Sequence, residues 1–392
     1  MFICLLLLNN SLQDIATTDT YDTAIVGGGL AGLSLSILLA KKGYKVILFE
    51  KEQYPFHRVC GEYISLESWN FITSLGIDLE KMNLPIIDRL HISSPNGNLL
   101  QHTLPLGGFG ISRYTLDHSL AEVARSHGVI IKEKTKITDI IFNNTFFSLK
   151  TNQQTYSAII TCCSFGKRSN LDIKWKRPFT IATKNRLNNY IAVKYHINTD
   201  TPDNIIALHN FKDGYCGISK IDNDAYSLCY LTTADNLKKS GNIRVMEQTI
   251  LSQNPHLKKI FRESKSIYKA PLSISQISFD AKKQVMNHML MIGDAAGMIT
   301  PLCGNGMSMA LHGSKIAAEQ IHLFFEGDST REIMEKQYAK NWNCLFSKRL
   351  RAGRFIQRLF GNKWLTNRFI AINKKIPTLA DKLIRQTHGQ PF

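Results

Sequence analysis

The chain has 392 residues, 44% of them hydrophobic, and a formal net charge of +17 at pH 7. This length predicts two domains with a large core, and no run approaches the ~20 consecutive apolar residues of a membrane span. The eight cysteines show no CxxC and no zinc-type Cys/His spacing, which indicates reduced thiols and no metal site. The apolar run over residues 2–8 is short and lacks a basic start, so we predict no signal peptide and a cytoplasmic location.

The first predicted unit is a βαβ motif between residues 22 and 50. After a short buried strand, Gly27, Gly29 and Gly32 fit the pattern GxGxxG at the start of an apolar helix. Such a turn brings backbone close to a pyrophosphate at a helix N-terminus. Glu50 ends the second strand, where a carboxylate can accept hydrogen bonds from ribose hydroxyls. Strand, turn, helix and acid coincide, which favours dinucleotide binding over a merely structural turn, but the motif does not distinguish NAD from FAD.

Residues 20–175 are predicted to form the first part of this dinucleotide-binding domain. A loop with His57, Arg58 and Cys60 leads from the second strand into a helix. Asn96-Gly97 marks the turn of a hairpin near 88–105, which we assign to the second domain. The remaining predicted elements are helices at 66–75 and 115–127, strands at 129–132 and 157–161, and a hairpin at 137–150.

Residues 176–282 read as a substrate domain built on an antiparallel sheet. Apolar segments alternate there with turn residues, and helices are predicted at 242–252 and 256–263. Lys194 and His196 occupy alternate positions of one strand and therefore share a face. They are candidates for binding a substrate oxygen or carboxylate if that face lines a pocket, although we favour a solvent-facing pair.

Residues 283–330 return to α/β character and form the second part of the dinucleotide-binding domain. A strand at 289–292 ends at Gly293-Asp294, and a helix is predicted at 306–325. Asp294 can accept hydrogen bonds from a polyol chain, although a capping role in a turn is the alternative. Gly304, Asn305 and Gly306 leave the helix N-terminus open to an anionic group.

Residues 331–392 are predicted to form a basic helical segment. They hold fourteen Lys and Arg against three acids, with Arg351, Arg354 and Arg358 at helical spacing among aromatic residues. Three interpretations stay open: an amphipathic helix on an anionic membrane surface, a helical subdomain packed on the substrate domain, or a docking site for an acidic acyl carrier protein. We predict no nucleic-acid partner, because no binding module accompanies the charge.

Four motifs in order resemble the para-hydroxybenzoate-hydroxylase-like flavoproteins, particularly the branch that holds geranylgeranyl reductases. They are VGGGLAGLSLS with Glu50, RVCGEYIS, ISRYTLDHSL and GDAAGMITPLCGNGMSMA, within residues 22–325. The resemblance implies an α/β fold in which a Rossmann-like FAD-binding domain with a mixed sheet is interleaved with an antiparallel substrate domain and followed by a C-terminal helical segment. It also implies FAD as the cofactor and NAD(P)H as a transient electron donor.

The resemblance also implies site residues. For the AMP and pyrophosphate half of FAD, it implies a pyrophosphate turn at Gly27, Gly29, Ala31 and Gly32 and a ribose acceptor at Glu50. For the flavin half, it implies a lining loop with Arg58, Cys60 and Gly61, a contact from Arg113, and a ribityl contact at Gly293 and Asp294. The border of the isoalloxazine ring would be Pro301, Gly304, Asn305, Gly306 and Met307. Cys60 is in addition a candidate proton donor, against the alternative of an inert, buried thiol.

Two departures from the family pattern affect the predicted chemistry. Ser164-Phe165-Gly166 stands where relatives have Asp-Gly, which leaves a protein partner as an alternative electron donor. The tryptophan and Phe-Pro signature of geranylgeranyl reductases and the Trp-x-Trp-x-Ile-Pro run of flavin halogenases are also missing. We therefore favour a monooxygenase that hydroxylates or epoxidises an apolar or polyketide-like substrate, free or carrier-bound, through a flavin C4a-hydroperoxide. The alternatives are a reductase of prenyl or polyene double bonds and a non-catalytic electron carrier or redox sensor.

Overall fold

The computed structural model describes residues 20–181, 189–360, 362–375, 384, 386 and 388–392. The strands are β1 (Thr20–Val26), β2 (Val46–Phe49), β3 (Tyr63–Ser65), β4 (Ile86–Ser93), β5 (Leu99–Gly110), β6 (Ile130–Lys132), β7 (Asp139–Asn143), β8 (Phe146–Lys150), β9 (Thr155–Cys163), β10 (Tyr190–Asn198), β11 (Ile205–Phe211), β12 (Gly214–Lys220), β13 (Tyr226–Thr233), β14 (Lys265–Ser266), β15 (Leu272–Ile277), β16 (Val285–Met286) and β17 (Met289–Met291). The helices are α1 (Leu30–Ala40), α2 (Trp69–Leu75), α3 (Arg113–Ser126), α4 (Asn170–Lys174), α5 (Ala234–Ser240), α6 (Ile243–Thr249), α7 (Pro255–Glu263), α8 (Gly306–Phe325), α9 (Arg331–Leu359) and α10 (Lys363–Lys375).

The first sheet is built around the predicted βαβ motif. Its order is β16-β17-β9-β1-β2-β6, and the β7–β8 hairpin joins through β9. Strand β1 runs parallel to β2 and β9, so the carboxyl ends of these strands share one edge. Helix α1 is apolar on nearly all sides, which suits its buried position beneath α8. Ser34 of α1 and Ser314 of α8 meet at this contact, with 2.7 Å between their hydroxyl oxygens.

The second sheet has the order β14-β10-β13-β12-β11-β4-β5-β3, with β15 added beside β10. All its pairs are antiparallel except β4 with β11, through which strands 86–110 join those of 190–277. A second hydrophobic cluster lies between this sheet and α5–α7. The predicted fold class is therefore confirmed: the α/β fold has a Rossmann-like domain, a second sheet that is mostly antiparallel, and C-terminal helices.

The basic C-terminal helix α9 packs first on the Rossmann-like domain. Its buried stripe is Met334, Tyr338, Trp342, Phe346 and Leu350, at the spacing of one helix face. The Tyr338 hydroxyl donates to the Met291 carbonyl at 2.6 Å, and the Trp342 ring covers Gly297. Most of α9 therefore packs on the Rossmann-like domain. The end of this segment meets the second sheet, since the Phe360 ring lies 6.5 Å from the Tyr215 ring of β12 and α10 contacts β5. Within the described residues, no helix combines the length and apolar character needed to cross a bilayer.

A buried polar cluster ties β4, β11 and the start of α7 together. The Ser93 hydroxyl and the Nδ1 atom of His209 lie 2.8 Å apart, and the Asn254 side-chain amide donates to the Ser93 hydroxyl at 2.8 Å. Burial, reinforced by the positive charges of neighbouring His256 and His91, lowers the pKa of His209 to about 3. His209 is therefore neutral in the folded protein over the ordinary pH range.

The neutral state of His209 predicts a pH-dependent stability. Because the unfolded chain binds this proton below about pH 6.5 and the folded chain does not, the site lowers the free energy of unfolding by about 1.4 kcal/mol per pH unit as the pH falls from about 6 to about 4. We expect His209→Asn to reduce the pH slope by that amount in chemical denaturation. Exposed His127→Asn is the control and should leave the slope unchanged. Equal slopes in His209→Asn and the unmodified protein would contradict the assignment.

Candidate active site

The glycine turn at the end of β1 serves two different purposes. At Gly27, which has φ +110°, a Cβ would lie 2.5 Å from the Ser164 carbonyl oxygen, and at Gly32 it would overlap the Gly27 carbonyl. The fold itself therefore requires these two glycines. Gly29 is extended, and a Cβ there would meet only the Nη2 atom of Arg113, at 3.4 Å. The open space at Gly29 thus fits the close approach of an external group.

The start of α1 has the features of an anion site. Gly29 caps the helix without a side-chain hydrogen bond, so the first-turn N–H groups lack a side-chain cap. Ala31 and Gly293 lie close together, so that a Cβ added at Gly293 would be only 3.1 Å from the Cβ of Ala31. Both positions therefore require a small residue. The turn and the 293–307 segment can therefore approach each other closely. A pyrophosphate fits this arrangement, because it needs N–H donors and a positive helix end.

Ser164 follows β9, at the position where the family resemblance predicted a carboxylate. Its hydroxyl donates to the Gly27 carbonyl at 2.6 Å, and its backbone N–H donates to Val26 at 2.8 Å. The serine therefore stabilises the glycine turn through hydrogen bonds from the end of β9. This departure from the family pattern has a structural explanation in the packing of β9 against β1.

Glu50 is buried at the carboxyl end of β2, as predicted from the sequence. Its Oε2 atom accepts from the Gly28 N–H and from Arg58, each at 2.9 Å. Its Oε1 atom accepts from the Glu52 N–H at 3.1 Å. The carboxylate is thus held rigidly beside the glycine turn, where the adenosine ribose of FAD would lie.

Arg58 and Arg113 share a buried carboxylate, Asp117, that sequence reasoning did not assign. Asp117 accepts from Arg58 Nε at 2.9 Å and from Arg113 Nε at 2.7 Å. Burial opposes the charge of Arg113, but Asp117 outweighs it and raises the pKa of the guanidinium. The i, i+4 spacing of Arg113 and Asp117 within ISRYTLDHSL was the available signal. The arrangement places a fixed positive charge beside Gly29.

The second sheet holds the loop of Arg58, Cys60 and Gly61. Three of its side chains donate to carbonyls of that loop: Lys194 to Arg58 at 3.1 Å, Ser227 to Cys60 at 3.3 Å and Ser219 to Gly61 at 3.4 Å. The Cys60 sulfur lies 3.6 Å from that of Met307. Residues predicted from two distant motifs are therefore brought into contact.

Lys194 and His196 are buried, so the favoured solvent-facing interpretation is wrong. Their exposed fractions are 2% and 3%, and both bind Glu62, which is fully buried. Lys194 forms an ion pair with Glu62, and the His196 Nε2 atom lies 2.6 Å from a Glu62 oxygen. Burial opposes ionisation of Glu62, but the hydrogen bond from His196 and the charge of Lys194 lower its pKa. The two side chains orient Glu62, and neither lines the apolar cavity described below.

The segment from Gly293 to Met307 contains two left-handed glycines, Gly293 and Gly304, that shape its turns. Asn305 precedes α8 but does not cap it, since its amide binds Glu67 and accepts from Arg349 Nη1 at 3.1 Å. The first turn of α8 therefore has no side-chain cap. Asp294 and Gly306 line a narrow crevice between α8 and the strand end that has no room for a water molecule. These features fit the ribityl chain and ring edge of FAD.

A larger, partly open cavity lies between the second sheet and the C-terminal helices, and its empty volume is about 750 Å³ when the part open to solvent is included. Its walls are mostly aliphatic and aromatic, and it reaches Leu302, Cys303 and Gly304, which adjoin the predicted ring border. The side chains that line it from the sheet and the C-terminal helices include Leu90, Leu100, Leu208, Ile356, Phe360 and Phe369. Sequence reasoning missed this cavity, because its walls come from three separate parts of the chain.

Two family profiles match parts of the chain. Residues 25–60 match an NAD(P)-binding Rossmann-like domain, and residues 227–345 match squalene epoxidase. The first match covers the glycine turn and Glu50. The second runs from β13 through the 293–307 segment into α9.

Among curated proteins, similarity extends along most of the chain. Conditioned medium factor receptor 1 of Dictyostelium discoideum is 27% identical over 367 residues, covering 83% of this chain and 68% of that protein. Digeranylgeranylglycerophospholipid reductase of Methanosarcina acetivorans is 25% identical over 344 residues, covering 83% and 81%. A 1H-pyrrole-2-carbonyl-[peptidyl-carrier protein] brominase of Pseudoalteromonas luteoviolacea is 24% identical over 398 residues, covering 95% and 93%.

Solved structures of halogenases share the fold. The flavin-dependent brominase Bmp2 superposes with a TM-score of 0.76 at 22% identity, covering 94% of this chain and 93% of the brominase. Halogenase PltM, solved in complex with phloroglucinol and FAD, gives 0.72 at 14% identity, covering 94% and 85%.

The fold and the site together define an FAD-binding flavoprotein. Within that class, the chain is similar to digeranylgeranylglycerophospholipid reductases and to flavin-dependent halogenases, in line with the four motifs. The resemblance inferred from the sequence is thus confirmed, whereas the roles of individual residues stay predictions.

The contrast between Gly29 and Gly32 gives a test of the cofactor site. We expect Gly29→Ala to weaken FAD binding by about tenfold, roughly 1.4 kcal/mol, because the added methyl occupies space that the pyrophosphate needs. Stability of the flavin-free protein should be unchanged, since that methyl would lie 3.4 Å from the nearest atom, Arg113 Nη2, which is an ordinary van der Waals contact. Gly32→Ala should instead lower the unfolding midpoint, because its Cβ overlaps backbone. Flavin fluorescence titration and thermal unfolding measure the two effects. A Gly29→Ala protein that retains full affinity for FAD would refute the site.

Proposed function

We propose that the protein is a flavin-dependent monooxygenase acting on an apolar substrate. The observation that carries the proposal is the cavity of about 750 Å³, whose apolar walls meet the residues predicted to border the flavin ring. A reduced flavin in this position supplies electrons that activate molecular oxygen for transfer to a substrate. The cavity is large enough for a small apolar substrate and has few polar groups on its wall.

The residues around the cavity have defined tasks in this proposal. Ile356, Phe360 and Phe369 on the C-terminal helices close the cavity on the side opposite the sheet and exclude water. The N-terminus of α8 would offer N–H donors and a positive dipole end to a bound flavin. The second sheet keeps Cys60 against Met307 by binding the carbonyls of its loop.

A second candidate is reduction of a carbon–carbon double bond. The similarity over 83% of the chain to a digeranylgeranylglycerophospholipid reductase favours it. In this proposal Cys60, which lies beside Met307, would donate the proton that completes the reduction. We place monooxygenation first because the squalene epoxidase profile spans the 293–307 segment. Transient binding of NAD(P)H at the flavin face is our proposal for the electron source.

Removing oxygen separates the two candidates. We expect flavin-loaded protein with NADPH and a polyprenyl substrate to form an oxygenated product in air and none under anaerobic conditions. Product analysis by mass spectrometry after labelling with ¹⁸O₂ gives a gain of one labelled oxygen atom. A saturated product that accumulates without oxygen would establish the reductase and overturn the monooxygenase. Absence of turnover in both conditions, with rapid electron exchange to a partner protein, would favour an electron carrier.

We propose further that the C-terminal helices dock on an anionic membrane surface. Phe355 and Trp364 are 58% and 62% exposed, which is unusual for large aromatic side chains. Exposed cations surround them, and the Arg368 guanidinium lies 4.9 Å from the Trp364 ring centroid. Aromatic rings and cations on one face suit the interface of an acidic bilayer. The same helices form a wall of the apolar cavity, so an apolar substrate would pass directly from the lipid.

Vesicle binding tests this surface. We expect the protein to cosediment with vesicles that contain phosphatidylglycerol, less so at high salt, and Phe355→Ala with Trp364→Ala to weaken partitioning at least about tenfold through lost apolar burial. Ile333→Ala is the control, because Ile333 is 56% exposed at the other end of the same helix α9. Vesicle binding that the aromatic substitutions leave unchanged would refute the membrane proposal. Binding of an acidic carrier protein in place of vesicles would support the carrier alternative.

A further inference from the structure

Lys282 is a buried lysine beside the 293–307 segment. It lies just before β16 and is only 9% exposed. Its ammonium donates to the Lys167 carbonyl at 2.7 Å and to the Asp294 carbonyl at 2.8 Å. The Phe179 ring covers it, with 4.2 Å between the Nζ atom and the ring centroid. The side chain therefore joins the loop that follows β9 to the turn that follows β17.

Three side chains hold the turn that follows β17. Three consecutive carbonyls of this turn each accept a hydrogen bond from a different side chain. The pairs are Asp294 with Lys282 at 2.8 Å, Ala295 with Arg177 at 3.0 Å, and Ala296 with Gln284 at 3.1 Å. Because buried carbonyls need partners, the backbone cannot rotate here without loss of at least one hydrogen bond. The backbone that carries the Asp294 carboxylate is therefore fixed from the side of Lys282.

The charge of Lys282 is costly for the fold, because an ammonium loses its hydration when it is buried. Burial lowers the pKa of Lys282 to about 8. The charges of Asp294 and Asp172 oppose this shift. The charges of Arg177 and Lys167 add to it. The ammonium is therefore charged at neutral pH and loses its proton in mildly alkaline solution. Methionine has a similar shape and would avoid the cost, which indicates that the charge itself has a task.

We propose that Lys282 is a positioning residue for FAD: its charged side chain fixes the turn that presents Asp294 to the ribityl chain. This inference rests on the proposed function, since it takes the 293–307 segment as part of the flavin site. Lys282 acts through the backbone of the turn and through its charge, and the Asp294 carboxylate makes the contact with the cofactor. The lysine thereby links two segments that follow different strands of the first sheet to the binding of one ligand.

The charge of Lys282 makes FAD binding depend on pH. Hydrogen bonds from an ammonium are about twice as strong as those from a neutral amine, so the charged form holds the turn more firmly. The charge also favours a nearby anion, and FAD brings a negatively charged pyrophosphate. FAD therefore binds more tightly to the charged form, and bound FAD in turn keeps the proton on Lys282 to a higher pH. Affinity is full below the pKa of Lys282 in the flavin-free protein and falls as the pH rises through it.

Titration of flavin-free protein with FAD at several pH values tests the inference. We expect the unmodified protein to bind FAD about tenfold more weakly at about pH 9 than at about pH 6.5, because Lys282 loses its charge over this range. Lys282→Arg keeps the charge throughout, so its affinity should stay constant. Lys282→Met should bind weakly at every pH. The adjacent, exposed Lys283→Met is the matched control and should keep the pH dependence of the unmodified protein. Flavin fluorescence measures all four affinities.

Three results would overturn the inference: an affinity of the unmodified protein that does not change with pH, an equal fall in Lys282→Arg, or full affinity of Lys282→Met near neutral pH. The comparison of the unmodified protein with Lys282→Arg decides the matter even if Lys282→Met does not fold. The titration involves no turnover, whereas the ¹⁸O₂ experiment decides the reaction type on the unmodified protein. Failure of the role of Lys282 and failure of the monooxygenase proposal are therefore distinguishable.

Discussion

The buried carboxylate of Glu62 is the interaction on which the site depends. A carboxylate without solvent is costly unless opposite charge and hydrogen bonds surround it. Here Lys194 and His196 from β10 of the second sheet bind it on one side, and the Arg113 N–H at the start of α3 donates to it at 2.8 Å on the other. The partners belong to both domains, and loss of Lys194 would leave the Glu62 carboxylate without its ion-pair partner in the interior. Glu62 therefore locks the loop that carries Arg58, Cys60 and Gly61 between the two sheets.

Rigidity at this junction explains how the site can combine a polar cofactor region with an apolar cavity. On one side, Arg58 and Arg113 share Asp117 next to the glycine turn, so positive charge is fixed where phosphates would lie. On the other side, apolar residues of the second sheet face the C-terminal helices across the cavity. The 293–307 segment lies between the two regions. In this arrangement the protein contributes position, electrostatics and exclusion of water, and the flavin contributes the redox chemistry.

Local patterns predicted much of the fold. The βαβ motif and the Gly97 hairpin depend on neighbours in sequence, so their residues are informative by themselves. Interactions between distant segments were predicted less well. Lys194 and His196 look like surface residues because their sequence context contains no carboxylate, yet Glu62 lies 132 and 134 residues earlier. The surface on which the long basic helix α9 packs was left open, since an amphipathic stripe shows that a helix packs and does not show on what.

The sequence by itself determined a Rossmann-like dinucleotide-binding domain, because the glycine turn and Glu50 encode local backbone geometry that a dinucleotide requires. The resemblance of the four motifs to known flavoproteins indicated FAD as the dinucleotide. Only the tertiary structure decided which glycines serve the fold and which leave space for a ligand, since that depends on atoms of Ser164 and Arg113 from remote segments. It also decided that an apolar cavity adjoins the 293–307 segment. Packing across three parts of the chain creates that environment, and no local pattern of residues contains it.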